Sequence, residues 1–517
     1  MQTAMMIVLL LLACCRASPA EFDFDVFVIG GGSGGIACAK EAARLGARVG
    51  LCDAVRPSPR GSSWGLGGTC VNVGCIPKKL MHRAAHLRRV VEVDAPAYGY
   101  DVTAALEGAS SGLSHEWSSL VEAVQDHVHA LNFGYRTALS KAGVVHHNSH
   151  GALRGGHEVT LRDAKGRDSV VRARHIVLAV GGRPRYPAEF EGADAVALSS
   201  DDLFSLRSPP GKTLVVGAGY VALECAGFLA SLGYPTTVLV RSVPLRGFDE
   251  QCAELVLRSL EDEGARVRRR AVPLRASRLP SGRLLVTWRR EVSPGEIARA
   301  AADAEVAPAD AGSAGLLEEV TEEFDNVLVA TGRQADTAGL NLEAVGLAAR
   351  PDGKLETKQE TTAVPYVHAI GDVASESPAN RPELTPVAAR AGVLLARRLF
   401  GEGPSEALES GGAHRRLGPA AVPTAVFTPL EYACVGLSEE EAAARYGEDD
   451  LEVYHTHYTP LEWAPTSRPT NKCYVKVLCQ KSDEERLVGL HLVGEHAAEI
   501  MQVRRRALTL RGARRRC

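Results

Sequence analysis

DFDVFVIGGGSGGIACAKEAARLG, residues 23–46, changes its hydrophobic period part-way along. Asp23 to Ile29 is a short apolar run of strand type, GGGSGG is a tight turn, and ACAKEAARLG has the spacing of an amphipathic helix. Gly30, Gly32 and Gly35 form G-x-G-x-x-G. The first permits the turn, the second lets backbone approach a pyrophosphate, and the third lets the helix pack on the strand. The helix start then offers unpaired N–H groups and the positive end of its dipole to a phosphate. Asp53, in GLCDAV, closes the next expected strand about twenty residues on, where a carboxylate takes a ribose hydroxyl. The glycines alone are a weak signal; strand, helix and acid together predict a dinucleotide-binding unit.

The pattern recurs in KTLVVGAGYVALECAGFLASLG, residues 212–233, with Gly217, Gly219 and Ala222 in the turn and Tyr220 and Glu224 in the helix. Where an NAD-type site carries an acid, VLVRSVPLRGFD carries Arg241 and Arg246. Guanidinium groups suit a ribose 2′-phosphate through paired, charge-assisted bonds, which points to NADPH. Two arginines on a solvated turn are the plainer alternative. The expected fold class is α/β, with two Rossmann-like domains.

A chain of 517 residues exceeds what one core usually supports. With 45% hydrophobic and 23% charged residues it has ordinary globular composition, and a net charge of -3 predicts no nucleic-acid partner. The 51 glycines fit several close turns around ligands, and the 12 cysteines are too scattered for a disulfide scaffold. Residues 1–21 hold an apolar run from Met5 to Cys15, of signal-peptide type but without a basic start, and too short to span a bilayer comfortably. Ser114 to Ala142 reads as helix, and HIVLAVGGRPRYP, FDNVLVATGR and YVHAIGDVA as buried strands leading into turns. Glu291 to Gly315 reads as a long hairpin loop, Gly401 to Pro419 as a linker, and the segment after Pro423 as a separate α+β unit. The expected domains are a leader (1–21), a first nucleotide domain in two parts (22–185 and 334–400), a second (186–333), a linker (401–421), a C-terminal domain (422–502) and a basic tail (503–517).

GLGGTCVNVGCIPKKL, residues 65–80, puts four residues between Cys70 and Cys75. A zinc site takes closer pairs and a second pair elsewhere, so no metal is expected. Five residues of ideal helix rise about 7.5 Å, more than a disulfide usually spans, so a bond here needs a distorted turn. Gly74 and Pro77 would permit one, and strained bridges are the more easily reduced. A redox disulfide beside a flavin is the favoured reading, with a structural staple or two separate thiols as alternatives.

WGLGGTCVNVGCIPKKLMH resembles the active-site stretch of the flavin disulfide reductases. Trp64, AVQDHVHALNFGYR, GGRPRYP, RSVPLRGFD and RPELTPVA resemble the thioredoxin reductases of animals, the mitochondrial type above all. The likeness runs from about Phe24 to Gln502, the two insertions aside. The resemblance implies FAD on Gly30 to Gly35, Asp53, Thr69, Lys78 and Asp372, and NADPH on Gly217 to Ala222, Arg241, Arg246 and Gly332. It implies that Cys75 faces the flavin as the charge-transfer thiolate, that Cys70 exchanges with substrate, and that Lys78 pairs with Glu224. It further implies a homodimer, thioredoxin as partner, a role in cell redox homeostasis and a mitochondrial location, with a cytoplasmic or, from the look of the leader, secretory one as the alternative; no segment after the leader approaches transmembrane length, so no membrane is expected. Lys78 and Glu224 taken alone read as surface charges, Tyr135 equally as a packing aromatic, and Cys38, Cys225 and Cys434 as buried small hydrophobes.

Members of that family carry a His-Pro base and a C-terminal redox pair. Here VRRRALTLRGARRRC, residues 503–517, has seven arginines and no acid, no histidine precedes a proline, and Cys517 has no neighbouring cysteine. His496, followed by Glu499, falls where the family has an ordinary turn residue. The tail thus reads as a splice or gene-model variant, with weakened dimerisation and poor thioredoxin reduction as the expectation. A glutathione reductase-like enzyme and a non-catalytic dimer partner are the competing readings.

Overall fold

The computed structural model describes residues 22–102, 115–292, 316–375, 382–402 and 422–504. The leader, the interior of the Glu291–Gly315 insertion, nearly all of the linker, and Cys517 lie outside these residues. The described residues form two compact units, one drawn from the ranges 1–54, 134–181 and 335–405, the other from 55–133, 182–334 and 406–517.

The first unit is built on a parallel sheet ordered Val145–His147, Val49–Cys52, Phe24–Ile29, Asp168–Leu178, Val367–Ala369. Phe24–Ile29 lies at its centre, and Val26, Phe27, Val28 and Ile29 are all buried, as a strand covered on both faces requires. The following helix, Ser33–Arg44, buries Ile36, Cys38, Ala39 and Ala42 and ends at Leu45, with Gly46 at φ +90° beyond it. Thr385–Phe400 packs across this helix where both are small: a Cβ on Gly34 would lie 3.2 Å from Ala388 O. The strands Ser149–Gly155, Glu158–Asp163 and Asp168–Leu178 continue the sheet as an antiparallel extension.

The second unit holds the other nucleotide-type sheet, four parallel strands ordered Arg266–Arg269, Thr236–Val240, Thr213–Val216, Asn326–Val329. The helix Tyr220–Ser231 follows its glycine turn and is buried from Ala222 to Ala230. Ala271–Arg278, Leu284–Val292 and Leu316–Phe324 form an antiparallel sheet beside it. Val292 pairs with Leu316, so the hairpin around the insertion is present, but its strand runs through Glu291, which pairs with Leu317. The long helix is Trp117–Lys141. Residues 422–504 add a five-stranded antiparallel sheet ordered Thr424–Val426, Glu431–Gly436, Arg486–Gly494, Cys473–Gln480, Leu451–Tyr458. The helix Glu439–Tyr446 beside it starts with a capping box of Ser438 and Glu441. No helix among the described residues is long and apolar enough to cross a membrane.

Candidate active site

Both glycine turns have the shape their sequences require. Gly30 has φ +112°, and a Cβ there would sit 2.4 Å from Ala179 O; at Gly217 the values are +126° and 2.4 Å from Ala330 O. Gly35 presses its helix onto the turn so closely that a Cβ would meet Gly30 O at 2.0 Å. Ala222, in the corresponding place of the second unit, is fully buried and tolerates a methyl group. Gly32 and Gly219 begin the two helices, and no side chain caps either. Their first-turn N–H groups therefore remain for an anion.

In the first unit Asp53 Oδ1 accepts the Gly31 N–H at 2.8 Å, which holds the carboxylate at the mouth of the turn. Burial pushes the Asp53 carboxyl up to about 6, and the Gly31 N–H holds it back from going higher. Asp372 lies in the short turn Gly371–Val373 after the strand Val367–Ala369, in a small recess that Lys354, Glu383 and Ala388 also line. In the second unit Arg241 and Arg246 are exposed after the strand Thr236–Val240, and neither has a carboxylate partner among the described residues. Arg246 donates to Ser242 Oγ at 2.9 Å. Gly332, at φ +125°, accepts the Arg185 N–H at 3.0 Å.

Cys70 and Cys75 fall on different helices, because the chain breaks between them. Gly68–Val73 and Cys75–Arg89 meet at Gly74, whose φ of -146° and ψ of -114° are far from helical. Cys70 is half-buried and Cys75 exposed, at the first position of its helix, where the dipole favours a negative sulfur. One turn on, Lys78 Nζ donates to both Glu224 oxygens at 2.8 Å. The side chains are 14% and 2% exposed, so the surface-charge reading of this pair fails. Glu224 Oε1 also accepts the Phe427 N–H at 2.9 Å. Burial works against the Lys78 ammonium, yet Glu224, Cys75 and Tyr220 outweigh it and raise its proton affinity above the ordinary value.

Residues 24–392 match the family described as pyridine nucleotide-disulphide oxidoreductase, and residues 422–513 match its dimerisation domain. This chain belongs to that oxidoreductase family. Thioredoxin reductase SEP1 of Emiliania huxleyi is 44% identical to it over 487 residues, which cover 93% of this chain and 90% of the relative.

The oxidoreductase site also rests on residues that the sequence reading passed over. Asn72 is buried and donates to Gly68 O at 2.8 Å and Gly65 O at 3.1 Å, while its oxygen accepts from Asn132 at 2.9 Å. It ties the glycine loop to the helix that bears Cys70. Arg333 Nη2 donates to Thr69 Oγ1 at 3.1 Å, and buried Asp201 pairs with Arg183 at 3.0 Å and with Arg333 at 3.6 Å. Arg183 in turn lies 4.7 Å over the Trp64 ring. Arg333 stands in VATGR beside Gly332, and Arg183 in GGRPR. Tyr135 is half-buried, His496 has φ +58°, as a turn residue would, and Cys434 is half-buried, unlike fully covered Cys38 and Cys225. Among the described residues no cluster has the makings of a metal site.

Proposed function

We propose that this oxidoreductase is an NADPH-dependent flavoprotein disulfide reductase of thioredoxin reductase type. One observation carries the reading: Lys78, one turn beyond Cys75, is locked to Glu224 of the second glycine-turn helix at 2.8 Å. A buried charge pair thereby couples the cysteine helix to the helix that starts the nucleotide turn. The two uncapped helix starts and the tight glycine turns fit two dinucleotides. In this reading Gly30, Gly32, Gly35, Asp53 and Asp372 of the first unit hold FAD, and Gly217, Gly219, Ala222, Arg241, Arg246 and Gly332 of the second hold NADPH. Bound FAD supplies a carrier that takes hydride from reduced nicotinamide and passes two electrons to a disulfide.

The reduced cysteines then act in sequence. The Cys70 thiolate attacks a sulfur of the substrate disulfide, forming a mixed disulfide and releasing one substrate thiolate, which takes a proton. The Cys75 thiolate then attacks Cys70, restoring the Cys70–Cys75 bond and releasing the second substrate thiol. Lys78 supplies fixed positive charge close to the Cys75 sulfur throughout. The dimerisation-domain match supports a homodimer, and only the sequence's resemblance to the animal mitochondrial type suggests mitochondria as its location. Anaerobic NADPH added to the FAD-loaded protein, with thioredoxin disulfide or glutathione disulfide as acceptor, tests the proposal. Thioredoxin thiols should form, and faster than glutathione thiol. Cysteines that stay oxidised under NADPH would refute the reading, and a preference for glutathione would move it to glutathione reductase.

A further inference from the structure

The loop from Arg241 to Phe248 joins the strand Thr236–Val240 to the helix Glu250–Asp262 and carries both arginines of the nucleotide reading. A surface loop of this length ordinarily keeps considerable conformational freedom. This one is fastened in its middle and at its end. The Leu245 N–H donates to Ala218 O, inside the glycine turn, at 2.8 Å. Leu245 is buried and held at φ +44°, a conformation that a leucine rarely adopts. Phe248 packs on Tyr432 with ring centroids 5.7 Å apart.

Asp249 then ends the loop in full burial. Its Oδ1 accepts the Cys252 N–H at 3.0 Å and so caps the next helix. Lys476, from the strand Cys473–Gln480, donates to both Asp249 oxygens at 2.9 Å and to Glu439 Oε2 at 2.7 Å. Lys476 is 1% exposed and Asp249 fully covered. A buried ion pair is a poor source of net stability, because desolvation offsets most of the attraction and apolar residues of the same volume often do as well. Its distinctive effect is geometric: a buried charge held by two or three bonds rejects alternative placements of the chain that bears it.

We propose that Asp249 and Lys476 are positioning residues for recognition of a ribose 2′-phosphate. The sheet of residues 422–494 fixes, through this pair and Tyr432, the loop that presents Arg241 and Arg246. The inference rests on the reading that those arginines take the 2′-phosphate of NADPH. It gives the C-terminal sheet a role in choosing between NADPH and NADH, in addition to subunit association.

The test is titration calorimetry of the full-length, FAD-loaded protein with adenosine 2′,5′-bisphosphate and with adenosine 5′-monophosphate. Asp249→Asn combined with Lys476→Met removes both charges together and retains a capping side chain. Its affinity for the bisphosphate should fall about tenfold while that for the monophosphate stays unchanged. The KM for NADPH should rise in parallel at unaltered kcat, and Lys476→Arg alone should keep most of the discrimination. If the double variant does not fold, Phe248→Leu, which loosens the same end of the loop, should show the same selective loss in milder form. Unchanged bisphosphate binding, or an equal loss for both nucleotides, would overturn the proposal. Arg241→Ala with Arg246→Ala serves as the separate control. If that variant still prefers the bisphosphate, the nucleotide reading itself is wrong, whatever the positioning variants do.

Discussion

Lys78 Nζ stands 2.8 Å from each carboxylate oxygen of Glu224, and Glu224 Oε1 takes the Phe427 N–H at 2.9 Å as well. Removing one partner strands a buried charge, which typically costs about 3–5 kcal/mol. Glu224→Gln and Lys78→Gln should therefore each lower the melting point and each cut NADPH-dependent disulfide reduction at least about tenfold. The double variant leaves no orphan charge. It should melt above either single variant while remaining as inactive as they are. Activity restored in the double variant would show that the pair is structural only.

Cys70→Ser and Cys75→Ser probe the electron store. In the proposed reading the oxidised protein accepts two pairs of electrons per bound flavin, one at the flavin and one at the Cys70–Cys75 bond. Either serine variant should accept one pair in an anaerobic dithionite titration and lose NADPH-dependent thiol production. Since Cys75 heads the helix Cys75–Arg89 and lies in the field of Lys78, Cys75→Ser should also perturb the flavin spectrum more than Cys70→Ser. Titrations with the same end point in wild type and both variants would count against a redox-active pair.

How much of this could be read beforehand depends on the range of each interaction. The glycine turns, Asp53 and the break at Gly74 were legible because each rests on residues close in sequence with a strict geometric demand. The Lys78–Glu224 pair joins positions 146 residues apart, and only the family resemblance suggested it. Asp249 and Lys476 are 227 apart and had no such help; a lysine in YVKVLCQ reads as the polar face of a strand, not as a buried donor. Asn72 likewise reads as a helix residue, although its amide group holds three elements together. Periodicity reports which face is apolar; it does not report which polar group on a buried face finds a partner.

Gly35 offers a sharp steric test. A methyl group there would meet Gly30 O at 2.0 Å, and backbone cannot retreat from that contact without opening the turn. Gly35→Ala should separate helix from strand by enough to cost about 1–3 kcal/mol and, in the proposed reading, to release FAD from the first unit. Measuring retained flavin and melting point together checks this. Ala222→Gly, at the matching place of the second unit, should be far milder, since that turn already accepts a methyl group. Equal effects at the two positions would contradict the close helix contact seen at Gly35.

His368 should make the first unit sensitive to acid. It lies on the end strand Val367–Ala369, with His175 Nδ1 3.2 Å from its Nε2 and Thr361 Oγ1 3.2 Å from its Nδ1. Burial foremost, then the charges of His175 and Arg398, pull its pKa from 6.5 down to about 3. A folded-state value below the unfolded one means that the unfolded chain binds the extra proton in the window between them. The stability contributed by neutral His368 is thus complete above pH 6.5 and drains away as pH falls toward 3, by at most about 1.4 kcal/mol per pH unit. His175, lowered in the same direction by burial, steepens the upper part of the window. Melting points recorded from neutral pH downward should fall steeply in wild type and less steeply in His368→Gln, which cannot take up the proton. The two curves should converge as acidification proceeds; parallel curves would show that the acid sensitivity comes from another group.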